Sequence, residues 1–357
     1  MKNMTRLLAS MALLLAGMSS AKAETRLTFV GFAPAGAGSE VIPNWWMDQI
    51  EERTNGEVEF RRFPNQQLCK TGEIVECVRD GRADVGSTPQ AYTPAYFPIS
   101  LLDSLPISSD QAAINRAFWQ LYKDTPEFRA EHEQLGLHLQ LYWAADPLLV
   151  GTTFEVDSPD DFTGKRIRGV GIGPGAFVEV LGAQPVALTS TEQYEALRSG
   201  VVDGVTSSFE GGIAMRLNEV ADYWYDPGFG TYAGVGLWLS DAAWQRLTPE
   251  QQRIVSEVSG ELANGKANEL HFQTLAGFCD RFRSAGNVKI FDAWPKDQMD
   301  AVKAQASEKA YDQWASNVER AGIANPRAIY DHFVELVKGS ENPTPVSRAH
   351  ECMSYYR

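Results

Sequence analysis

The stretch RGVGIGPGA (168–176) sets one guanidinium, Arg168, directly ahead of four closely spaced glycines. A guanidinium offers paired N–H donors in one rigid plane, a fork that matches the two oxygens of a carboxylate. Glycines beside it leave room for a small molecule to come close. The same residues also fit G-x-G-x-x-A, through Gly171, Gly173 and Ala176. That pattern receives a dinucleotide pyrophosphate where a strand turns into a helix. The signal is weak, because Pro174 lies inside it and no acid ends the next strand candidate, QPVAL (184–188). A third option is structural, with Arg168 pairing to an internal acid such as Asp203.

Other catalytic equipment is sparse. The five histidines, His132, His138, His271, His332 and His350, form neither H-E-x-x-H nor a triad-like cluster, and a surface place is the default for each. No G-x-S-x-G supplies a nucleophile elbow. The four cysteines contain no C-x-x-C, which argues against a redox or zinc site. We therefore expect no catalytic residue, no metal and no cofactor. A formal charge of −14 disfavours nucleic acid and anionic membrane surfaces as partners.

Lys2 and Arg6 precede an apolar run (7–18) and the small-residue end SSAKA, the pattern of a secretory signal over 1–23 cut after Ala23. The run is too short to span a bilayer, which takes about 20 residues. Export makes an even cysteine count a sign of disulfides. The favoured pairing is Cys69–Cys77, a local loop, with Cys279–Cys352 pinning the tail (340–357).

The remaining chain is long enough for two domains. RLTFVGF (26–32), EVEFRRF (57–63), ADVGST (83–88) and LHLQLYWAADP (137–147) read as strands. Helical patterns lie between them at 41–56, 72–81 and 110–136, the last broken at Pro126. A second run of α/β units follows, with strands in GKRIRGV (164–170), QPVAL and VVDGVTSS (201–208), and a capping box expected at Ser190–Gln193. Strands alternating with helices predict parallel α/β sheets, here two of them with a cleft between. The expected lobes are 24–145 and 146–237, with part of 238–275 rejoining the first and part of the carboxyl-terminal region joining the second. Thr248–Gln251 is another capping box, opening a helix over 248–283 that would measure ~50 Å and could brace both lobes. The alternative is two helices broken near Asn264-Gly265.

SPDDFTGKRIR (158–168) followed by LGAQPVALTSTEQYEALRSGVVDG (181–204) resembles the solute-binding proteins of tripartite ATP-independent periplasmic (TRAP) transporters. The shared positions run from Gly164, Ile167 and Arg168 through Gly182, Ala183, Pro185, Glu192, Tyr194, Ala196 and Leu197 to Gly200, Val202, Asp203 and Gly204. The likeness extends to GEIVECVRDGRADVG (72–86) and the Thr248 capping box, so it spans nearly the whole exported chain. It implies a two-lobed periplasmic binding protein that closes on its solute and hands it to integral-membrane permease subunits. No chemistry on the solute is implied, and the family expectation is a monomer in the periplasm.

In that family the arginine matching Arg168 holds the solute's carboxylate, which implies a small organic acid as ligand. Two family helpers are replaced: an asparagine by Ser207, and a second arginine by Leu148. Acids and aromatics expected near the cleft are Glu40, Trp143, Asp146, Phe209, Glu210 and Tyr232. Acids with aromatic faces suit an ammonium, so an amine or zwitterionic solute, ethanolamine- or ectoine-like, stays open beside the acid. A sensor that presents its closed form to a receptor is the further alternative, since it too needs only ligand-driven closure.

Overall fold

The computed structural model describes residues 25–345 and 347–356, so the expected export signal lies outside the described residues. The strands are β1 (Thr25–Gly31), β2 (Val58–Phe63), β3 (Val85–Pro89), β4 (Leu137–Ala144), β5 (Leu149–Thr152), β6 (Arg166–Arg168), β7 (Gln184–Val186), β8 (Gly204–Ser207), β9 (Tyr223–Asp226), β10 (Gly234–Ser240) and β11 (Ile290–Ala293). They form a five-stranded sheet, β2-β1-β3-β10-β4, and a six-stranded sheet, β11-β9-β5-β8-β6-β7. Each sheet is the floor of one lobe, with helices packed on it.

Both sheets are mixed rather than purely parallel. β1 runs parallel to β2 and β3, whereas β10 is antiparallel to β3 and β4. The reason is the chain path. After β4 the backbone leaves the first lobe, builds most of the second, and returns as β10 from the opposite direction. The outgoing and returning segments pair where they cross: Ala145 N–H donates to Ala233 O at 2.7 Å, and Leu148 N–H to Gly230 O at 2.8 Å. This two-segment ribbon is the hinge. Gly230 has φ 100°, and a Cβ there would lie 2.7 Å from Ser108 O, so backbone from the first lobe presses directly on the returning segment.

The stretch expected as one helix over 248–283 is a bent course. Pro249–Glu261 opens on the Thr248–Gln251 capping box. A π-turn at Leu262–Lys266 follows, with Gly265 at φ 125°, and Ala267–Thr274 continues. Gly277, left-handed, separates the last piece, Phe278–Ser284. Glycine's freedom at positive φ explains both irregularities. Ile254, Val255, Val258 and Leu262 pack into the first lobe's core, and Leu275, Phe278 and Phe282 into the second's. A second brace is Lys296–Arg320, whose Met299, Val302 and Ala306 face the second lobe while Ala310, Trp314 and Val318 enter the first lobe's core.

The capping box before Gln193–Arg198 is Thr189 with Glu192, one residue earlier than the spacing from Ser190 suggests. The Glu192 carboxylate takes both the Thr189 N–H and hydroxyl at 2.7 Å, a charged acceptor that the Gln193 amide does not match. Cysteines pair as 69–77 and 279–352. Before Cys352 the tail is tied to the first lobe, where Arg116 donates to Ser340 O at 2.9 Å and Asp110 accepts from Asn342 N–H at 2.8 Å. The Cys279–Cys352 bond then fixes it to the second lobe.

Loop length sets the expected effect of removing each bond. Chain-entropy arithmetic assigns ~4 kcal/mol to a crosslink closing 73 residues and ~2.5 kcal/mol to one closing 8. Denaturant titration of paired Cys→Ala variants should rank the 279/352 loss as larger; the opposite ranking would contradict this account.

Candidate ligand-binding site

A cavity of about 90 Å³ lies between the lobes, walled by Arg168, Trp143, Ser207, Glu210, Tyr232 and His271 among others. The space suits a metabolite of few heavy atoms, not a sugar chain or a peptide.

Arg168 ends β6 and is 3% exposed. Its Nε donates to Leu188 O at 3.0 Å and its Nη1 to Thr206 O at 2.8 Å. These two carbonyls aim the guanidinium without neutralising it. Asp203 is not its partner: that carboxylate is engaged by Arg166, with Nη2 at 2.9 Å from Oδ1. Among the described residues Arg168 forms no ion pair and its Nη2 no hydrogen bond. A buried cation left so is costly unless something else supplies the counter-charge.

The neighbouring glycines have a different use from a phosphate cradle. A Cβ on Gly173 would lie 1.6 Å from Ser104 O, so a side chain there would collide with first-lobe backbone. Glycine lets the lobes meet beside Arg168.

The acids divide by depth. Glu210 lines the cavity, and its Oε1 accepts from Ser39 N–H at 2.8 Å and Ser39 Oγ at 3.0 Å, a bond pair from one lobe to the other. Asp146, on the hinge, stands behind the wall and accepts from the Glu210 N–H at 3.3 Å. Glu40 is not in the wall. It is buried against Gly31, and burial, opposed by the Ala33 backbone and aided by the nearby Glu210 charge, raises its pKa to about 8. Phe209 points away into the second lobe's core, its ring stacked on Phe291 at 5.9 Å. Residues 209 and 210 open a helix, where successive side chains point about 100° apart, so one faces the core and the other the cleft. Leu148, where the resembled family has an arginine, is fully buried in core packing.

Sequence reasoning missed His271, placing it on the surface by default. It is buried, lines the cavity, and its Nε2 meets Asp146 Oδ1 at 2.9 Å while Nδ1 lies 3.7 Å from Glu210 Oε2. Burial opposes charge on the ring, but Asp146 and Glu210 outweigh it and raise the pKa to about 9. The available signal was helical spacing: Ala263, Ala267, His271 and Leu275 recur at every fourth residue and all are buried. His132 also departs from the surface default. It packs against Phe97 and Phe128, and burial lowers its pKa to about 3, leaving it neutral. Ser39, Tyr92 and Ser190 were missed too. The Ser190 N–H donates to the Tyr92 hydroxyl at 2.9 Å, a second bond between the lobes.

A two-lobed α/β receptor with a hinge and a partly open cavity between its lobes is the class this geometry defines. The model of the DctP family, bacterial extracellular solute-binding protein family 7, matches residues 40–317, and the chain belongs to that family. A Salmonella typhimurium protein, YiiZ, is 27% identical over 210 residues, covering 58% of this chain and 64% of its own length. The C4-dicarboxylate-binding periplasmic protein DctP of Rhodobacter capsulatus is 24% identical over 290 residues, covering 78% of this chain and 83% of its own. Among solved structures, a marine metagenome TRAP solute-binding protein specific for aromatic acids, with bound 3-hydroxybenzoate, superposes at a TM-score of 0.80. It is 22% identical and covers 89% of this chain and 99% of its own.

Buried acids give the fold a pH dependence. Burial raises Glu40 and Glu131 to about 8 and Asp103 to about 7, and His271 is raised to about 9. From pH 7 to 9 the folded state therefore keeps protons that the unfolded chain has released, so stability falls as pH rises. His132, neutral in both states above pH 7, contributes nothing in that window. Melting of ligand-free protein should drop steadily over that range, with a shallower slope in Glu131→Gln. A flat or rising profile would show that these groups are not held as described.

Proposed function

We propose that this chain is the extracytoplasmic solute receptor of a TRAP transporter, capturing a small organic acid through Arg168 and delivering it to a membrane permease. The observation that carries the reading is the buried guanidinium, held by two carbonyls at an interlobe cavity and forming no ion pair among the described residues. A bidentate ligand carboxylate would supply both the counter-charge and the missing acceptor. Trp143 and Tyr232 would pack against the body of the solute, and Ser207 would offer a hydroxyl where the resembled family has an amide. Related receptors whose structures hold benzoate, mandelate or pyroglutamate bind carboxylates in the same fold, which supports the reading. The leader over 1–23 would place the mature protein in the periplasm, working as a monomer.

Closure follows from differential affinity. Solute seated on Arg168, a second-lobe residue, touches Trp143 from the first lobe only when the cleft is shut, so binding favours the shut form. The Ser39–Glu210 and Tyr92–Ser190 bonds then hold the rim.

Calorimetry against a panel of C4-dicarboxylates, benzoate, mandelate and pyroglutamate tests the assignment. For whichever acids bind, Arg168→Ala should weaken affinity by roughly 30-fold or more, the scale of losing a buried charge partner. Arg168→Lys should recover only part of it, because a point charge cannot present the fork. Unchanged affinity in Arg168→Ala would remove the proposed role.

A further inference from the structure

Arg168 and Glu210 wall the same cavity without pairing with each other. Glu210 is fixed from three sides: Ser39 binds Oε1 twice, Asp146 takes its backbone N–H, and the His271 ring stands beside Oε2. Among the described residues Oε2 itself accepts no hydrogen bond, and at 3.7 Å the His271 nitrogen is beyond bonding distance. His271 Nε2 is committed to Asp146, while its buried Nδ1 has no hydrogen-bond partner among the described residues.

Formal charge then splits the cavity into two unequal parts. At one end stands the +1 of Arg168, in no ion pair among the described residues although the Glu192 carboxylate is near enough to feel its charge. At the other, one imidazolium between two carboxylates leaves −1. Glu40, raised to about 8, does not add to that negative charge near neutral pH. A solute with only a carboxylate would settle Arg168 and leave the Glu210 end unbalanced. A dicarboxylate whose second group reached Glu210 would be repelled. A hydroxyl would donate to Oε2 but leave the charge. A protonated nitrogen answers both needs, and the aromatic residue Trp143 in the same wall is compatible with a cation.

We propose that Glu210 is the second anchor of the site and that the solute is a small zwitterion, its carboxylate on Arg168 and its protonated nitrogen on Glu210 Oε2. His271 and Asp146 are positioning residues that hold the Glu210 carboxylate in place. The inference rests on the reading of Arg168 as carboxylate anchor and adds the other half of the guest.

Matched probes separate the two claims. The full exported chain is titrated with ω-amino acids of three to five carbons and with proline. Beside each runs its counterpart with the nitrogen deleted or replaced by hydroxyl: the unsubstituted fatty acids, the ω-hydroxy acids, and cyclopentanecarboxylate. At least one amino member should bind ~10-fold or more tightly than both counterparts, which corresponds to about 1.4 kcal/mol. In Glu210→Gln that ratio should collapse towards one. Arg168→Ala should instead weaken every member. If deaminated or hydroxy acids bind as tightly as the amino members while Arg168→Ala still weakens them, the zwitterion proposal is overturned and the carboxylate receptor stands. If no member of either panel binds, or Arg168→Ala changes nothing, both readings fail. Should Glu210→Gln not fold, the ratio in the unmodified protein decides alone.

Discussion

A guanidinium buried without a carboxylate is the constraint around which the rest of this molecule is arranged. Arg168 gains two carbonyl acceptors, and those bonds recover part of its lost hydration but none of its charge. The carbonyls come from Leu188 and Thr206, segments flanking β6 on both sides, so the second lobe's sheet itself sets the direction of the fork. Nearby, Arg166 draws off Asp203, the acid that would otherwise quench it. Two arginines two residues apart share one face of the strand, but Arg166 stands at its exposed start and Arg168 at its buried end. One makes a surface ion pair and the other is kept free for the cleft.

The braces decide how such a cavity can open. Both the bent helical course from Pro249 and the helix Lys296–Arg320 bury residues in each lobe, and the tail crosses as well before its disulfide. Lobes joined by packed helices and a two-segment ribbon rotate as bodies about the ribbon, because close-packed cores do not deform continuously. Asp146 lies on that ribbon, and His271 lies on one of the braces. The Asp146–His271 pair therefore links the hinge to a brace beside the pocket.

Much of this architecture was legible in the residues. The Arg168 segment, the Thr248 cap and the cysteine pairing follow from spacing, turn chemistry and redox context. β9 and β10 were not, for a physical reason. β10, GVGLWLS, is buried along its whole length between two neighbours, so it lacks the alternation that marks a half-exposed strand, and its partners lie far away in the chain. Lys296–Arg320 was more readable than it was made to be: Met299, Val302, Ala306, Ala310, Trp314 and Val318 keep a three-and-four spacing throughout. Within the site, Glu40 and Glu210 were equivalent as letters. Only the fold shows that one is sealed behind Gly31 while the other bridges the lobes and lines the cavity.

That double position of Glu210 ties recognition to motion. One of its oxygens is bound by the first lobe through Ser39, and the residue lines the cavity in which we place the solute. In an open cleft the Ser39 bonds are lost, and the carboxylate regains water in their place. In the shut cleft Glu210 meets less water and depends more on Ser39, on the His271 charge and on whatever the solute presents. A guest that satisfies the free oxygen thus acts on the same side chain that fastens the rim, and its interaction exists in full only in the shut form. Free energy available in one conformation and not the other is what shifts a population. The pocket needs no moving catalytic part for this; it needs a charged wall that is incomplete until both the other lobe and the guest arrive.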